Sequence, residues 1–177
     1  MVTQPPTLAV IRAAKAGDNA AFERLLEPLY QPAYRMAAAI LQDHQAGEDA
    51  VQEAAVKAWL KLGQLRDGAD IRPWFYKIVI NQCYSTRRAR RSTVSWDEVE
   101  PATDSSDEQV IARIELRRGL MGLSKDKRTV LVLHFYLDLS ISDIAATIGI
   151  SPRGAETRLL RAKDELKRRM EANRGRR

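Results

Sequence analysis

The chain has a single cysteine, only two histidines and few aromatic residues, and each scarcity removes a class of protein. One thiol cannot form an intrachain disulfide or a cysteine-rich zinc site. Cys83 falls within a helical apolar pattern, which predicts a small core residue. No apolar run approaches the roughly 18 residues that cross a bilayer. Met1 to Pro6 lacks the basic-then-apolar order of a signal peptide. These features predict a cytoplasmic protein with no direct membrane insertion. Neither a Ser-His-Asp set nor carboxylates at metal-ligand spacing occur, so no catalytic residue, metal ligand or cofactor site is expected and the chain is read as a non-enzyme. One further absence is local: from Ile71 to Trp96 there is no acidic residue.

That stretch instead holds Arg72, Lys77, Arg87, Arg88, Arg90 and Arg91, interleaved with Trp74, Phe75, Tyr76 and Tyr84. Directly after it the sign reverses, with Asp97, Glu98, Glu100, Asp104, Asp107 and Glu108 and no base among them. A basic, aromatic-bearing helix beside an acidic spacer suits a surface that grips a polyanion and stacks on exposed bases. The net charge of +6 and a pI near 9.7 favour an acidic partner, nucleic acid or an anionic membrane. A chain of 177 residues can bury one good core or two small ones.

The hydrophobic pattern is helical nearly throughout, without strand-like alternation. A first helix is expected from about Leu8 to Ala16, stopped by Gly17. Asp18 or Asn19 can cap a second, on which Phe22, Leu25, Leu26 and Leu29 share a face. Pro28 and Pro32 are expected to kink or interrupt it before Tyr34 to Leu41 resumes. A third helix runs from about Ala46 to Leu62 and ends at Gly63. After the loop Gln64 to Arg72, Pro73 suits the first position of a fourth. From Ser92 to Ser106 the composition is that of a linker, with Pro101 and the run Thr103-Asp104-Ser105-Ser106. The fold class is therefore all-α: two small helical domains, 1–92 and 107–177, joined by a flexible acidic linker, 93–106.

The second domain reads as a helix-turn-helix. Ser124 can cap a helix carrying Val130, Leu131, Leu133, His134 and Leu137. His134 has no histidine or cysteine near it and is read as a satisfied core or surface residue, not a metal ligand. Ser140 and Asp143 resemble a capping box for a short helix with Ile141, Ile144, Ala145 and Ile148. Gly149 supplies the turn, Ser151 the next cap and Pro152 the first helical position. On that last helix Ala155, Leu159, Ala162 and Leu166 would face the core. Arg153, Gly154, Thr157, Arg161 and Arg168 lie opposite, with Arg158 on the flank. Arginine can contact phosphate or the O6/N7 edge of guanine, and threonine a thymine methyl. The capped start, glycine turn and basic outer face favour DNA reading over a merely solvated face.

On the third helix Val51, Ala55, Ala58, Trp59 and Leu62 form one stripe, and Asp49, Gln52, Glu53 and Val56 lie opposite. Two readings fit that second face: an ordinary solvated surface, or a site for a basic or amphipathic partner helix around Val56.

These segments are recognisable together. Gly47-Glu48-Asp49-Ala50-Val51-Gln52-Glu53, continuing to Lys57-Ala58-Trp59, resembles the acidic helix in the first conserved domain of the bacterial sigma-70 family. Arg72-Pro73-Trp74-Phe75-Tyr76-Lys77-Ile78 with Asn81 resembles the promoter-melting helix of the same domain. Leu123 to Lys167, with Gly149-Ile150-Ser151-Pro152 and Arg158-Leu159-Leu160-Arg161-Ala162, is similar to the C-terminal promoter-reading domain. The presence of both domains without large extra ones is the layout of the extracytoplasmic-function subgroup.

The resemblance implies a sigma factor that binds core RNA polymerase and directs promoter-specific initiation. Asp49, Gln52, Glu53 and Val56 would dock on the clamp coiled coil of the largest catalytic subunit. The loop Leu65, Arg66, Asp67, Gly68 to Ile71, with Trp74, Lys77, Asn81, Tyr84, Arg88 and Arg91 of the following helix, would engage the −10 element. In the family this loop captures a flipped base of the non-template strand. Ser151, Arg153, Gly154, Glu156, Thr157, Arg158 and Arg161 would meet the −35 duplex. Family members are often held inactive by an anti-sigma factor, so one is a candidate partner. Four positions depart from the family pattern: Leu65 and Ile71 stand where phenylalanine is frequent, Ser85 where aspartate is common, and Glu156 where a base is usual. Glu156 could accept from a cytosine amine or pair with a neighbouring base. The rival reading is a stand-alone helix-turn-helix regulator, which would bind duplex DNA without polymerase.

Overall fold

The computed structural model describes the backbone of residues 8–93 and 108–174 and the side chains of 8–88 and 115–172. Of the expected linker only Thr93 is among them, and the basic C-terminal residues Arg176 and Arg177 lie outside. Arg91 and Arg174 are described in backbone alone. Every described element is helical, and no helix among these residues is long and apolar enough to cross a membrane.

Helix α1 spans Leu8–Lys15 and stops as expected, with Gly17 at φ +98°. Asp18 starts α2, Asn19–Leu41, by accepting a hydrogen bond from the Ala21 amide at 3.0 Å. Of the expected kink or interruption at the prolines, the interruption does not occur; α2 is continuous through both. Each proline removes one amide donor from the helical ladder. Pro28 is exposed and Pro32 half-buried, on the flank of the face that buries Leu25, Leu29, Ala33, Met36, Ala37 and Ile40. Burial along that inner face holds the helix together.

Helix α3, His44–Lys61, begins earlier than its apolar pattern because Asp43 caps it, accepting from the Ala46 amide at 2.9 Å. Its inner face is mostly small: Ala46, Gly47, Ala50, Val51, Ala54 and Ala58 are buried. The closest approach is at Gly47, where a Cβ would lie 2.7 Å from the Ala38 amide nitrogen of α2. Phe22 and Trp59 close the far end edge to face, 5.0 Å apart. A short 3-10 turn, Leu62–Gln64, leads into the loop before α4, Ile71–Thr93. Here α4 starts ahead of Pro73, because the Asp70 carboxylate accepts from the Arg72 amide at 2.9 Å and from its guanidinium at 2.6 Å. Pro73 still lies in the first turn, where its missing donor costs nothing. Helix α4 buries Phe75, Tyr76, Val79, Ile80 and Cys83. Cys83 is the expected core residue, and burial pushes its thiol up to about 12.

The second domain comprises α5 (Glu108–Met121), α6 (Lys125–Phe135), α7 (Ile141–Ile148) and α8 (Pro152–Arg174). Ser140 caps α7 by accepting from the Asp143 amide at 3.1 Å, and its hydroxyl donates to the Asp143 carboxylate at 2.7 Å. Ser124 occupies the cap position of α6 but makes no side-chain capping bond. His134 is half-buried, and its Nδ1 has no hydrogen-bond partner among the described residues. Residues Arg128 to Leu133 are all buried, since α6 packs on α7 and α8 and also on α2 of the first domain.

Arg128 joins the two domains. Its guanidinium, 3 % exposed, donates to the carbonyls of Leu120 (2.8 Å), Met121 (2.8 Å) and Leu123 (3.3 Å) at the end of α5. It also donates to Ile40 at the end of α2, at 3.0 Å. The last carbonyls of a helix lack internal partners and carry partial negative charge, so a cation placed there satisfies both needs. Arg117 adds a bond to the carbonyl of Gln42 at 3.1 Å.

Gly47→Ala should destabilise the chain by about 1–3 kcal/mol, the usual cost of forcing a carbon into a packed contact. The Ala38 backbone atoms are what it would strike, so adding Ala38→Gly should give no recovery. Thermal unfolding followed by circular dichroism reads both results, and an unchanged midpoint for Gly47→Ala would refute the close approach.

Candidate nucleic-acid and protein interfaces

Helix α8 is organised at its N-terminus as the sequence predicts. Gly149 turns with φ +74°, the Ser151 hydroxyl accepts from the Gly154 amide at 3.1 Å, and Pro152 opens the helix. Ala155, Leu159 and Ala162 are buried, which turns Arg153, Thr157 and Arg161 outward. With Arg158 they line one wall of a cleft, and Ser124, Asp126 and Lys127 at the start of α6 line the other. The Thr157 hydroxyl donates back to the Arg153 carbonyl at 2.8 Å, leaving its methyl and oxygen lone pairs to a ligand. Lys127 and Arg169 both pair with Glu165, fastening α6 to α8 and holding that carboxyl below its ordinary value. Glu156 is exposed and has no ion-pair partner among the described residues, so of its two expected roles the pairing one is not realised here.

On α4, Lys77, Asn81 and Arg88 are exposed on the expected stripe, and Trp74 is half-buried. Tyr84 is partly covered. Its hydroxyl lies 2.9 Å from Thr129 Oγ1 of α6, and the Lys125 ammonium sits 4.5 Å above its ring. Burial raises the pKa of its phenol. The turn between α7 and α8 also overlies this stripe, since a Cβ at Gly149 would meet Lys77 Nζ at 3.8 Å. Thus the aromatic residue best suited to stack on a base is partly covered by the second domain.

The loop from Leu65 to Ile71 is anchored at both ends. Leu65 and Ile71, named among the −10 residues, are 3 % and 1 % exposed, so their side chains belong to the core and are not open to DNA in this arrangement. Between them Arg66, Asp67 and Gly68 face solvent, with Gly68 at φ +78°. Lys15 of α1 reaches this loop, donating to the Leu65 carbonyl at 2.5 Å and to Asp67 at 2.7 Å.

Asp49, Gln52, Glu53 and Val56 are brought together on the outer face of α3, as their spacing requires, and Val56 is 61 % exposed. Leu60, one turn further on, is 75 % exposed and extends the apolar centre; its four-residue offset from Val56 was the available signal. Glu53 is not free. It accepts a hydrogen bond from the buried Gln82 amide of α4, whose oxygen accepts from Lys57.

Comparison with known proteins gives a consistent result. Residues 21–93 match the family model for Sigma-70 region 2, and residues 113–166 match that for Sigma-70, region 4. The ECF RNA polymerase sigma factor SigM of Mycobacterium tuberculosis is 29% identical over 161 residues, covering 90% of this chain and 82% of that protein. RNA polymerase sigma factor SigV of Bacillus subtilis is 29% identical over 133 residues, covering 75% and 80%. Among solved structures, CnrH in complex with the cytosolic domain of CnrY aligns with a TM-score of 0.72 at 24% identity, covering 93% of this chain and 97% of that one. That likeness is one of fold.

Tyr84→Ala removes both contacts that Tyr84 makes with α6, which together are worth roughly 1–2 kcal/mol. The variant should shift the two domains apart and increase the radius of gyration in small-angle X-ray scattering. An unchanged radius would mean that Arg128 and Arg117 hold the domains without Tyr84.

Proposed function

Because the chain belongs to the sigma-70 family, as an extracytoplasmic-function sigma factor, we propose how its surfaces divide the work of promoter-specific initiation. Asp49, Gln52, Glu53 and Val56 on α3 meet the clamp coiled coil of core polymerase. The loop tip of Arg66, Asp67 and Gly68, with Trp74, Lys77, Asn81, Tyr84, Arg88 and Arg91, engages the −10 non-template strand, while Leu65 and Ile71 anchor that loop. Ser151, Arg153, Gly154, Glu156, Thr157, Arg158 and Arg161 read the −35 duplex. The protein acts by binding, in the cytoplasm, and an anti-sigma factor is its regulator. Two proteins of similar fold are described as complexes that support this last point: CnrH with CnrY, and RpoE with the anti-sigma factor NepR from Bartonella quintana.

The observation that carries this reading is Val56, exposed among acids on a helix whose other face is tightly packed. A stand-alone regulator needs neither that face nor a basic, aromatic-bearing α4. The reading also requires motion. The −10 and −35 elements lie more than two turns of duplex apart, roughly 80 Å, whereas Gly149 and Lys77 are neighbours here. The two domains therefore separate when both engage one promoter, and that separation uncovers Tyr84 for an unpaired base.

Core binding is tested by Asp49→Lys with Val56→Ser, which spares the Glu53–Gln82 link. Co-purification with core polymerase should fall at least tenfold, equivalent to about 1.4 kcal/mol, with the helical circular dichroism unchanged. Wild-type recovery would exclude this face.

For the −35 contact, Arg153→Ala or Arg158→Ala should cost about 1–3 kcal/mol and relax preference at one base pair if the arginine pairs with guanine. Selection from a promoter library reads the preference. Uniform weakening across sequences would reduce α8 to a positioning element.

A further inference from the structure

Lys15 lies in α1, outside the residues matched by either family model, yet its side chain ends on the loop assigned to the −10 strand. The ammonium donates to the Leu65 carbonyl at 2.5 Å and to the Asp67 carboxylate at 2.7 Å, and the side chain is only 20% exposed. An exposed ion pair contributes little by itself. This one differs because the same ammonium also satisfies a main-chain carbonyl at the point where the loop leaves the core. The remaining restraints lie elsewhere in the loop. The Leu65 amide bonds back to Leu62, the Ala69 amide to Arg66, and Asp70 is occupied by Arg72. Without Lys15 the segment from Leu65 to Gly68 would keep its buried end and the turn from Arg66 to Ala69, but lose the one side-chain bond that ties its exposed part to α1. Asp67 would also present an uncompensated charge to a polyanion; as it stands, Lys15 holds that carboxyl below its ordinary value, with a further contribution from Arg12 one turn earlier on α1.

We propose that Lys15 is a positioning residue for the −10 loop, so that α1 takes part in promoter opening by fixing the loop's shape and neutralising Asp67. This rests on the assignment of the loop to the −10 strand. Capture of one unstacked base requires the receiving loop to be held in place beforehand, and displacement by about an ångström is enough to lower such a rate by up to a hundredfold. Lys15 itself need not touch DNA.

The test uses the full chain assembled with core polymerase. Lys15→Met should leave holoenzyme assembly intact, slow open-complex formation on a duplex promoter by roughly ten- to a hundredfold, and broaden base preference in the −10 element. Lys15→Arg, which keeps the charge and the donors, should restore both. Asp67→Asn should give a smaller defect, and adding it to Lys15→Met should cause no further loss. Arg66→Glu, at the loop tip, is the companion variant. If it leaves −10 preference untouched, the loop does not read that strand and the assignment beneath this inference fails. If Arg66→Glu alters the preference while Lys15→Met behaves as wild type, only the role of Lys15 is overturned. A Lys15→Met defect that equals its loss of holoenzyme assembly, or that Lys15→Arg does not relieve, would show a general effect on the fold and overturn the inference as well.

Discussion

Two helices, one from each domain, end against the same guanidinium. Arg128 satisfies carbonyls at the C-termini of α5 and α2 from a position shut off from water. A helix end buried without such partners leaves acceptors unpaired, each costing about 1–3 kcal/mol. Arginine meets the demand because its planar fork carries five donors in fixed directions, four of which are accounted for here. Lysine has too short a reach of donors to serve both ends at once. The geometry makes α6 common to both domains: its inner residues build the second core, and its arginine bonds the end of α2 in the first.

The functional surfaces follow from this docking. With α6 seated on α2, its first turns lie over α4, so Lys125 and Thr129 partly cover Tyr84 while Lys77, Asn81 and Arg88 stay open. The N-terminus of α8 remains accessible, since its buried stripe faces α6 and α7. On the other side of the first domain, α3 lies against α2 through alanines and Gly47, which leaves little room for any large side chain inside. Val56 and Leu60 lie on the opposite face of α3 by their spacing and stay exposed.

The residues that were easy to read acted over short distances. Asp18, Ser140 and Ser151 cap helices within three residues of themselves, and Gly17 and Gly149 supply left-handed turns. The faces of α3 and α8 followed from periodicity. Misjudgements came where tertiary contacts outweighed a local rule. Pro28 and Pro32 do not break α2, because the burial beside them outweighs two missing donors. Ser124 sits at a helix start without capping it. Leu65 and Ile71, read as members of a DNA-binding loop, are held by the core.

The amino-acid sequence by itself determined the helical class, the two-domain order, the acidic and basic faces and the family, because composition, spacing and capping are properties of neighbouring residues. The tertiary structure decided which of the named side chains are available. Lys15 meets Leu65 and Asp67 across half a hundred residues, Gln82 ties Glu53 to α4, and Arg128 reaches Ile40 from the other domain. No local pattern encodes such pairs. Each depends on where a carbonyl or carboxylate is left without a partner once the helices have packed, and only the folded chain settles that.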